Sequence, residues 1–446
     1  MSNWNSYSPA DLPEAVVKKA VQMGADDVVV TSGIDDTKQI RFANNSITTS
    51  KSWASTGLSI YLTKDKRILS TQVNELSEID RTLDELMKRI KMMQPNEEYG
   101  GIYSGKPKFR KNVAEPTVAA MVEELFVHVD AAISSAQEAG ASRVAGVLYS
   151  SSGEMHQATS GGSIGTYGSS SLEISVRAMS DAESSGHMVQ SVTSPMNFEP
   201  ARVGRTAGEL AIESRNPEIG KEGKFDVVFS PMIFANIMER VGSSCSAGSV
   251  DAGMSFFTDM IGKKVASEKF TCYDDATNPE SLDSLPFDEE GAPTGKTSLI
   301  EKGILKTYLH NTSTAKRYGT VSTGNAGLVF PSPWTTCLEP GQDTRDQLIS
   351  QVNDGYYMTN TWYTRFQNYQ TGDFSTIPRD AIFHIKNGKL DKPVKDIRIS
   401  ENMLNILKNV KAVGNDPMQV HWWEVETPVF VPHVLVENVN ITKSTQ

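Results

Sequence analysis

Apolar residues recur at three- and four-residue spacing across residues 12–23 and stop at Gly24, which predicts a helix. A short β-branched run at 27–31 follows. Residues 38–42, 57–62 and 67–71 then read as further strands, the last two joined by the turn Lys64-Asp65-Lys66, so the opening is a helix and a meander. Leu76, Ile79, Leu83, Leu86, Met87, Ile90 and Met93 mark one apolar face of a helix. Val118, Met121, Val122, Leu125, Phe126, Val129 and Ile133 repeat that pattern between Pro116 and a C-terminal stop at Gly140. Two long helices are therefore expected to cover the sheet, with residues 94–116 as a loop.

From 143 to 192 the chain is rich in Ser and Gly, and the alternation at Leu172, Ile174 and Val176 predicts antiparallel strand. Residues 198–214 read as a helix with Pro200 near its start, and 216–224 as a polar linker. The second half opens with the apolar run 225–229. Pro231 then starts a helix striped with Ile233, Ile237, Met238 and Val241, and short strands follow. The expected architecture is α+β: an N-terminal α/β domain over 1–222, its sheet covered by helices, and a β-rich, barrel-like, mostly antiparallel domain over 223–446. A length of 446 residues suits two cores of roughly 200 residues each.

Charge narrows the function classes. A net charge of -11 repels phosphate backbones. The densest basic run, Lys106, Lys108, Arg110 and Lys111, lies in a loop where solvation accounts for it, so no nucleic-acid partner is expected. No stretch approaches 18 consecutive apolar residues and residues 1–8 lack a leader's pattern, so a cytoplasmic protein with no membrane partner is expected. Cys245, Cys272 and Cys337 fit neither a disulfide framework nor a CxxC knuckle and read as reduced thiols.

Several segments resemble the TldD/PmbA family. Residues 285–294 (LPFDEEGAPT) are similar to its Phe-Asp-(Asp/Glu)-Glu-Gly-x-Pro-Thr stretch. Glu301, Gly303, Leu305 and Tyr308, within the strand expected at 299–309, match Glu-x-Gly-x-Leu-x-x-Tyr. Residues 311–319 followed by Ser322-Thr323-Gly324-Asn325-Ala326 resemble (Thr/Ser)-Ala-(Arg/Lys)-x-x-Gly and Ser-Thr-Gly-Asn-Ala. Weaker matches occur at 371–375, 386–388, 407–416, 24–27 and 40–42, so the likeness runs over almost the whole chain.

The resemblance implies a peptidase system with two branches. The zinc branch carries His-Glu-x-x-x-His on the helix that opens the second domain. The equivalent stretch here is Met238-Glu239-Arg240-Val241-Gly242-Ser243, with neither histidine. A thioether and a hydroxyl are poor zinc ligands, and a lone glutamate lacks a metal-activated water to act on. On the residues alone, Glu239 reads as a helix-surface carboxylate pairing with Arg240 or Lys263. The chain is thus similar to the metal-free PmbA/TldE branch. That branch implies no cofactor of its own, zinc only in a TldD-like partner subunit, and an unfolded peptide held between the two, with a homodimer as the alternative state of the isolated chain.

His128, His156, His187, His310, His384, His421 and His433 form no pair at ligand spacing, although His421 and His433 lie in the segment of the family's third ligand. The Ser243-Ser244-Cys245-Ser246-Ala247-Gly248 stretch offers a nucleophile or merely a helix-terminating loop. Two readings stand for 311–325. Ser322, Thr323 and Asn325 satisfy local backbone groups in a turn, or a groove containing Glu239, Ser243, Asn311, Lys316, Arg317, Ser322, Thr323, Gly324 and Asn325 receives peptide. Trp362, Tyr363, Phe366, Tyr369, Trp422 and Trp423 read as core or as binding surface. A non-catalytic companion subunit leads. A stand-alone hydrolase with an unrecognised site and a homo-oligomeric peptide-binding protein are the alternatives.

Overall fold

A computed structural model describes residues 4–120 and 124–443, so Met121 and Val122 of the predicted helix lie outside the described residues. The first half is one six-stranded sheet, antiparallel throughout. It contains β1 (Val28–Ala43), β2 (Ser46–Lys64), β3 (Arg67–Val73), β4 (Arg143–Thr159), β5 (Ile164–Met179) and β6 (Ser185–Val192), in the order β3-β2-β1-β4-β5-β6. The strands expected at 27–31 and 38–42 are a single strand. Gly33, Asp35 and Asp36 between them look like turn residues, but in β1 they pair on both sides with Gly57, Ser55 and Ala54 of β2 and Met155, Gly153 and Ser152 of β4. Ladder bonds from two neighbours override local propensity here.

This sheet is long enough to carry two cores. At one end α1 (Leu12–Gln22) and α2 (Ile79–Arg89) bury Val16, Leu83 and Ile79 against Val28, Val30, Leu58 and Ile60. At the other, α3 (Pro116–Ala120), α4 (Glu124–Glu138) and α5 (Pro200–Glu213) pack on Ile40, Phe42, Leu148, Ile174 and Val176. Gly140 ends the second predicted helix at φ 105°, a conformation that glycine adopts without cost. The two α5 glycines Gly204 and Gly208 let that helix approach α4 so closely that a Cβ would lie 2.0 Å from the Ala132 carbonyl and 2.6 Å from that of Ala136. Between the two cores the sheet residues are mostly polar, among them the buried Ser32, Thr37, Gln39 and Ser150.

The second half carries two further sheets around the largest core. The smaller runs β11 (Ile304–Leu305), β10 (Lys296–Glu301), β9 (Cys272–Asp275), β12 (Thr336–Leu338), β19 (Val425–Val431), β18 (Met418–Trp422). The larger runs β13 (Asp354–Asn368), β8 (Gly223–Phe229), β20 (Val434–Lys443), β16 (Ile397–Asn402), β14 (Asp373–Lys386), β15 (Lys389–Lys395), β7 (Glu218–Ile219), with β17 (Val410–Val413) on β20. Because β13 also pairs with β14, the strands β13, β8, β20, β16 and β14 close into a barrel. Its pairings are antiparallel except β13 with β8. The α+β class with a β-rich, barrel-containing second half is thus what the chain adopts.

Four short helices complete the half after α6 (Pro231–Ser244): α7 (Ala247–Asp251), α8 (Thr312–Tyr318), α9 (Arg345–Ser350) and α10 (Met403–Lys408). The single strand expected over 299–309 is instead the hairpin β10–β11, turned by Lys302 and Gly303 at φ 46° and 80°. Among the described residues, no helix is long and apolar enough to cross a membrane.

Candidate functional site

Helix α6 starts at Pro231, where the missing N–H is no loss, and its apolar stripe packs into the large core, leaving almost every residue buried. Glu239 is buried, not on the helix surface. Its Oε1 accepts the amides of Glu426 (2.6 Å) and Thr427 (3.1 Å), and its Oε2 lies 3.4 Å from Arg240 Nη2. Burial raises its pKa, against the pull of Arg240 and the two amides. Of the two expected partners, Arg240 is the one it meets; Lys263 instead donates its backbone amide to Met260. Asn236, one turn earlier, donates to the Glu424 carbonyl at 2.9 Å, and the Glu424 carboxylate accepts the Tyr363 amide at 2.9 Å. The polar side chains of α6 therefore hold the tip of the β18–β19 hairpin.

Met238 has no exposed surface, and the Ser243 hydroxyl donates back to the Glu239 carbonyl at 2.9 Å. Cys245 is fully buried with its thiol pKa pushed up by desolvation, the reverse of an activated nucleophile. The hairpin places Trp423 5.5 Å from Trp362 and 6.0 Å from Tyr363, while Trp422 is buried against His187 and Phe366 stacks on Tyr369. The six aromatics thus divide between core and surface.

A second group of site residues surrounds His310. Asn311 caps α8 in a reciprocal box with Thr314, and Gly319 ends the helix in the left-handed region. Ser322 and Thr323 hydroxyls donate to the His310 carbonyl at 3.1 and 3.2 Å. A Cβ on Gly324, at φ 72°, would lie 2.4 Å from the Pro293 carbonyl, so only glycine fits. Asn325 donates to Asp274 at 2.6 Å and to the Ser332 carbonyl at 3.1 Å. On the outer face of α8, Lys316 donates to the Gly100 carbonyl and Arg317 bridges Glu98 and Asp251. Glu239 and Ser243 belong to a separate group, which adjoins this one where the Cys245 carbonyl accepts the Leu309 amide.

The stretch 287–294 joins this group to the sheet. Asp288 accepts the amides of Glu290, Ala292 and Ala326 at 2.9–3.0 Å, and Asp274 accepts those of Trp334 and Thr335 at 2.8 Å. Burial raises both to about 7, and Glu290 likewise. Phe287 packs beside Gly165, Phe109 and Tyr167 of the first half. Arg110 was expected to be a solvated loop cation. It donates instead to the Leu285 carbonyl at 2.6 Å and the Ser284 hydroxyl at 3.1 Å, which its place in a Lys-rich run concealed. A cleft of about 430 Å³ remains between this stretch and the sheet, lined by Tyr61, Gln157, Tyr167, Leu328 and Trp334.

Family models for the PmbA/TldA metallopeptidase match in three consecutive blocks: domain 1 at residues 35–90, the central domain at 111–215 and the C-terminal domain at 222–443. The chain belongs to the PmbA/TldD family. A metalloprotease PmbA homologue of Haemophilus influenzae is 26% identical over 397 residues, covering 87% of this chain and 85% of that protein. A metalloprotease of Methanothermobacter thermautotrophicus is 32% identical over 222 residues, 48% of each chain, so the match spans about half of that relative. TldE from Thermococcus kodakarensis shares the fold with a TM-score of 0.85 at 20% identity, over 96% of this chain and 99% of that one. A proposed DNA gyrase modulator from Thermotoga maritima does so at 0.86 and 24%, over 96% and 99%.

Does this PmbA/TldD chain suit the zinc its family name implies? The stretch that the resemblance aligns with the zinc motif does not fit it, since a core thioether, a carboxylate engaged by two amides and a hydroxyl engaged by a carbonyl leave no ligand set. His421 and His433 do not supply one. His421 lies between Glu173 and the Glu426 carbonyl, and His433 between Asp416 (2.6 Å) and the Tyr357 hydroxyl (3.2 Å). A serine–histidine contact exists between Ser175 Oγ and His187 Nε2, at 2.8 Å, with Asn360 Nδ2 2.9 Å from Nδ1. Its polarity is wrong for a nucleophile. Asn360 is fixed by accepting the Thr361 amide and donating to Asp380, so its amide N–H also faces Nδ1. The imidazole proton then sits on Nε2 and is donated to Ser175, and burial holds His187 neutral with a pKa of about 4.

Proposed function

We propose that this chain is the companion subunit of a zinc peptidase of the same family, helping to hold unfolded polypeptide while the partner supplies metal and catalysis. The observation that carries this reading is Glu239. The one zinc-motif residue retained on α6 is a strut for the β18–β19 hairpin rather than a base facing an open site. The inverted Ser175–His187 contact argues against a stand-alone hydrolase. Three buried, unpaired thiols support a reducing, cytoplasmic setting.

The test is co-expression with a family member bearing His-Glu-x-x-x-His. The expected result is a co-purifying complex that contains zinc and cleaves β-casein in a chelator-sensitive way, while this chain alone carries substoichiometric zinc and cleaves nothing. One zinc per isolated chain with chelator-sensitive cleavage would overturn the proposal.

A further inference from the structure

At each side of the six-stranded sheet the second strand outruns the edge strand beside it, and the chain treats the two overhangs differently. On one side β6 pairs with β5 only over 172–179. The remaining edge of β5 is covered by the protein's own loop, through Gly168 N–H to the Asn112 carbonyl (2.8 Å) and Glu115 N–H to the Ser170 hydroxyl (3.0 Å). On the other side β3 pairs with β2 only from Leu58 to Lys64. The rest of β2, residues 46–57, pairs with β1 alone, and no described residue bonds its outer backbone groups. Every second residue there presents a free N–H and C=O to solvent. Residues 50–57 are exposed on both faces.

Most of the usual protections of an edge are missing from this one, whose one bulge lies at Thr48, outside residues 50–57. Residues 46–57 contain no proline and a single charge, Lys51. Where β3 leaves the sheet at Val73, a cleft of about 200 Å³ opens in line with the vacated edge, lined by Tyr7, Leu12, Ile34, Gly57, Leu58 and Leu76. An open ladder with an apolar cleft at its start is the arrangement by which a sheet captures an extended peptide: backbone bonds give affinity and the cleft selects a side chain.

We infer that the outer edge of β2 is a strand-addition site for an extended polypeptide segment, which runs antiparallel to β2 in line with β3 and places one aliphatic or aromatic side chain in the cleft beside Gly57. This rests on the peptide-holding role proposed above and gives it a surface. A second copy of the chain fits less well. Antiparallel self-pairing centred on Lys51 sets this cation opposite its own copy. Ile47, the apolar side chain such pairing would offer to the cleft, is packed against the core under α4.

The full chain without partner, titrated into fluorescein-labelled β-casein and followed by anisotropy and by amide hydrogen exchange, tests this. Alternate amides within 46–57 are expected to gain protection on binding. Positions 52 and 55 face opposite ways along the strand, so of S52P and S55P one removes an outward N–H and the other breaks the ladder to β1. The outward variant is expected to weaken binding about tenfold with an unchanged melting temperature, and the inward one to lower the melting temperature. Thr56→Trp, on the same sheet face as Leu58 and Ile34, fills the cleft while keeping every backbone N–H of the edge and is expected to weaken binding about threefold to tenfold. Unaltered binding in all three variants, protection confined to other segments, or no binding would overturn the inference. So would a concentration-dependent dimer that the outward proline abolishes. None of these readouts involves the zinc partner, so failure of the co-purification and failure of this site are told apart.

Discussion

Glu239 and Asp288 are both buried carboxylates that accept backbone amides, Glu239 from a distant hairpin and Asp288 from its own turn and from Ala326, yet they do different work. Glu239 has Arg240 beside it and pins one hairpin inside the second half. Asp288 has three amides, no cation among its bonds, and sits where the second half meets the sheet of the first. The two carboxylates show that a residue's type does not set its task. A glutamate in a catalytic-looking motif braces a turn, and an aspartate in a loop anchors a joint.

The largest effect is expected at the joint. Asp288→Ala leaves three buried amides without an acceptor and should lower the unfolding free energy by about 3–5 kcal/mol, read from urea denaturation. A loss below that of the next variant would reverse the ranking of the two sites. Glu239→Ala removes two amide acceptors and strands Arg240, for about 2–3 kcal/mol, whereas Glu239→Gln keeps an oxygen for both amides and should cost about 1 kcal/mol. Equal losses for the two substitutions would mean that charge, not hydrogen bonding, holds the hairpin.

The pH dependence separates the sites further. Asp274, Asp288 and Glu290 hold their protons to about pH 7 when folded, whereas an unfolded carboxyl releases its proton near pH 4. Unfolding between those values releases protons, so the stability these groups contribute is complete below about pH 4 and is lost as the pH rises toward 7. Asp274→Asn should flatten that fall when its unfolding free energy is compared with wild type across the range. A difference that does not vary with pH would show that Asp274 is buried charged.

The smallest effect concerns the other side of the Glu239 contact. His421 faces the Glu426 carbonyl while Glu239 takes the Glu426 amide. Burial lowers the His421 pKa, but the Glu173 carboxylate together with Asp283 and the Glu426 carbonyl outweighs it and leaves the value raised above the ordinary 6.5. NMR titration should find it there, and Glu173→Gln should bring it down. That contribution is present below the unfolded value and lost as pH rises through the folded one.

Local physics carried much of this fold into the sequence. Helices α2, α4, α5 and α6 follow from three- and four-residue spacing, and the stops at Gly24 and Gly140 are real. What failed did so for a common reason. β1 was cut in two because Gly33, Asp35 and Asp36 mimic a turn, and only neighbours more than a hundred residues away, in β4, together with β2, hold them extended. The partner amides of Glu239 lie at Glu426 and Thr427, so no local pattern distinguishes it from a surface glutamate. Arg110 is similar, since its acceptors are carbonyls of a loop in the other half. Residues 287–294 and 311–325 were legible as a pattern, but their mutual bonding was not.

The two cores of the first sheet share β1, which gives Val28 and Val30 to one and Ile40 and Phe42 to the other. Because one continuous strand runs through both interiors, loosening either one weakens the pairing that the other is built on. The N-terminal half is therefore expected to unfold as one unit, with probes beneath α1 and beneath α5 giving coincident transitions.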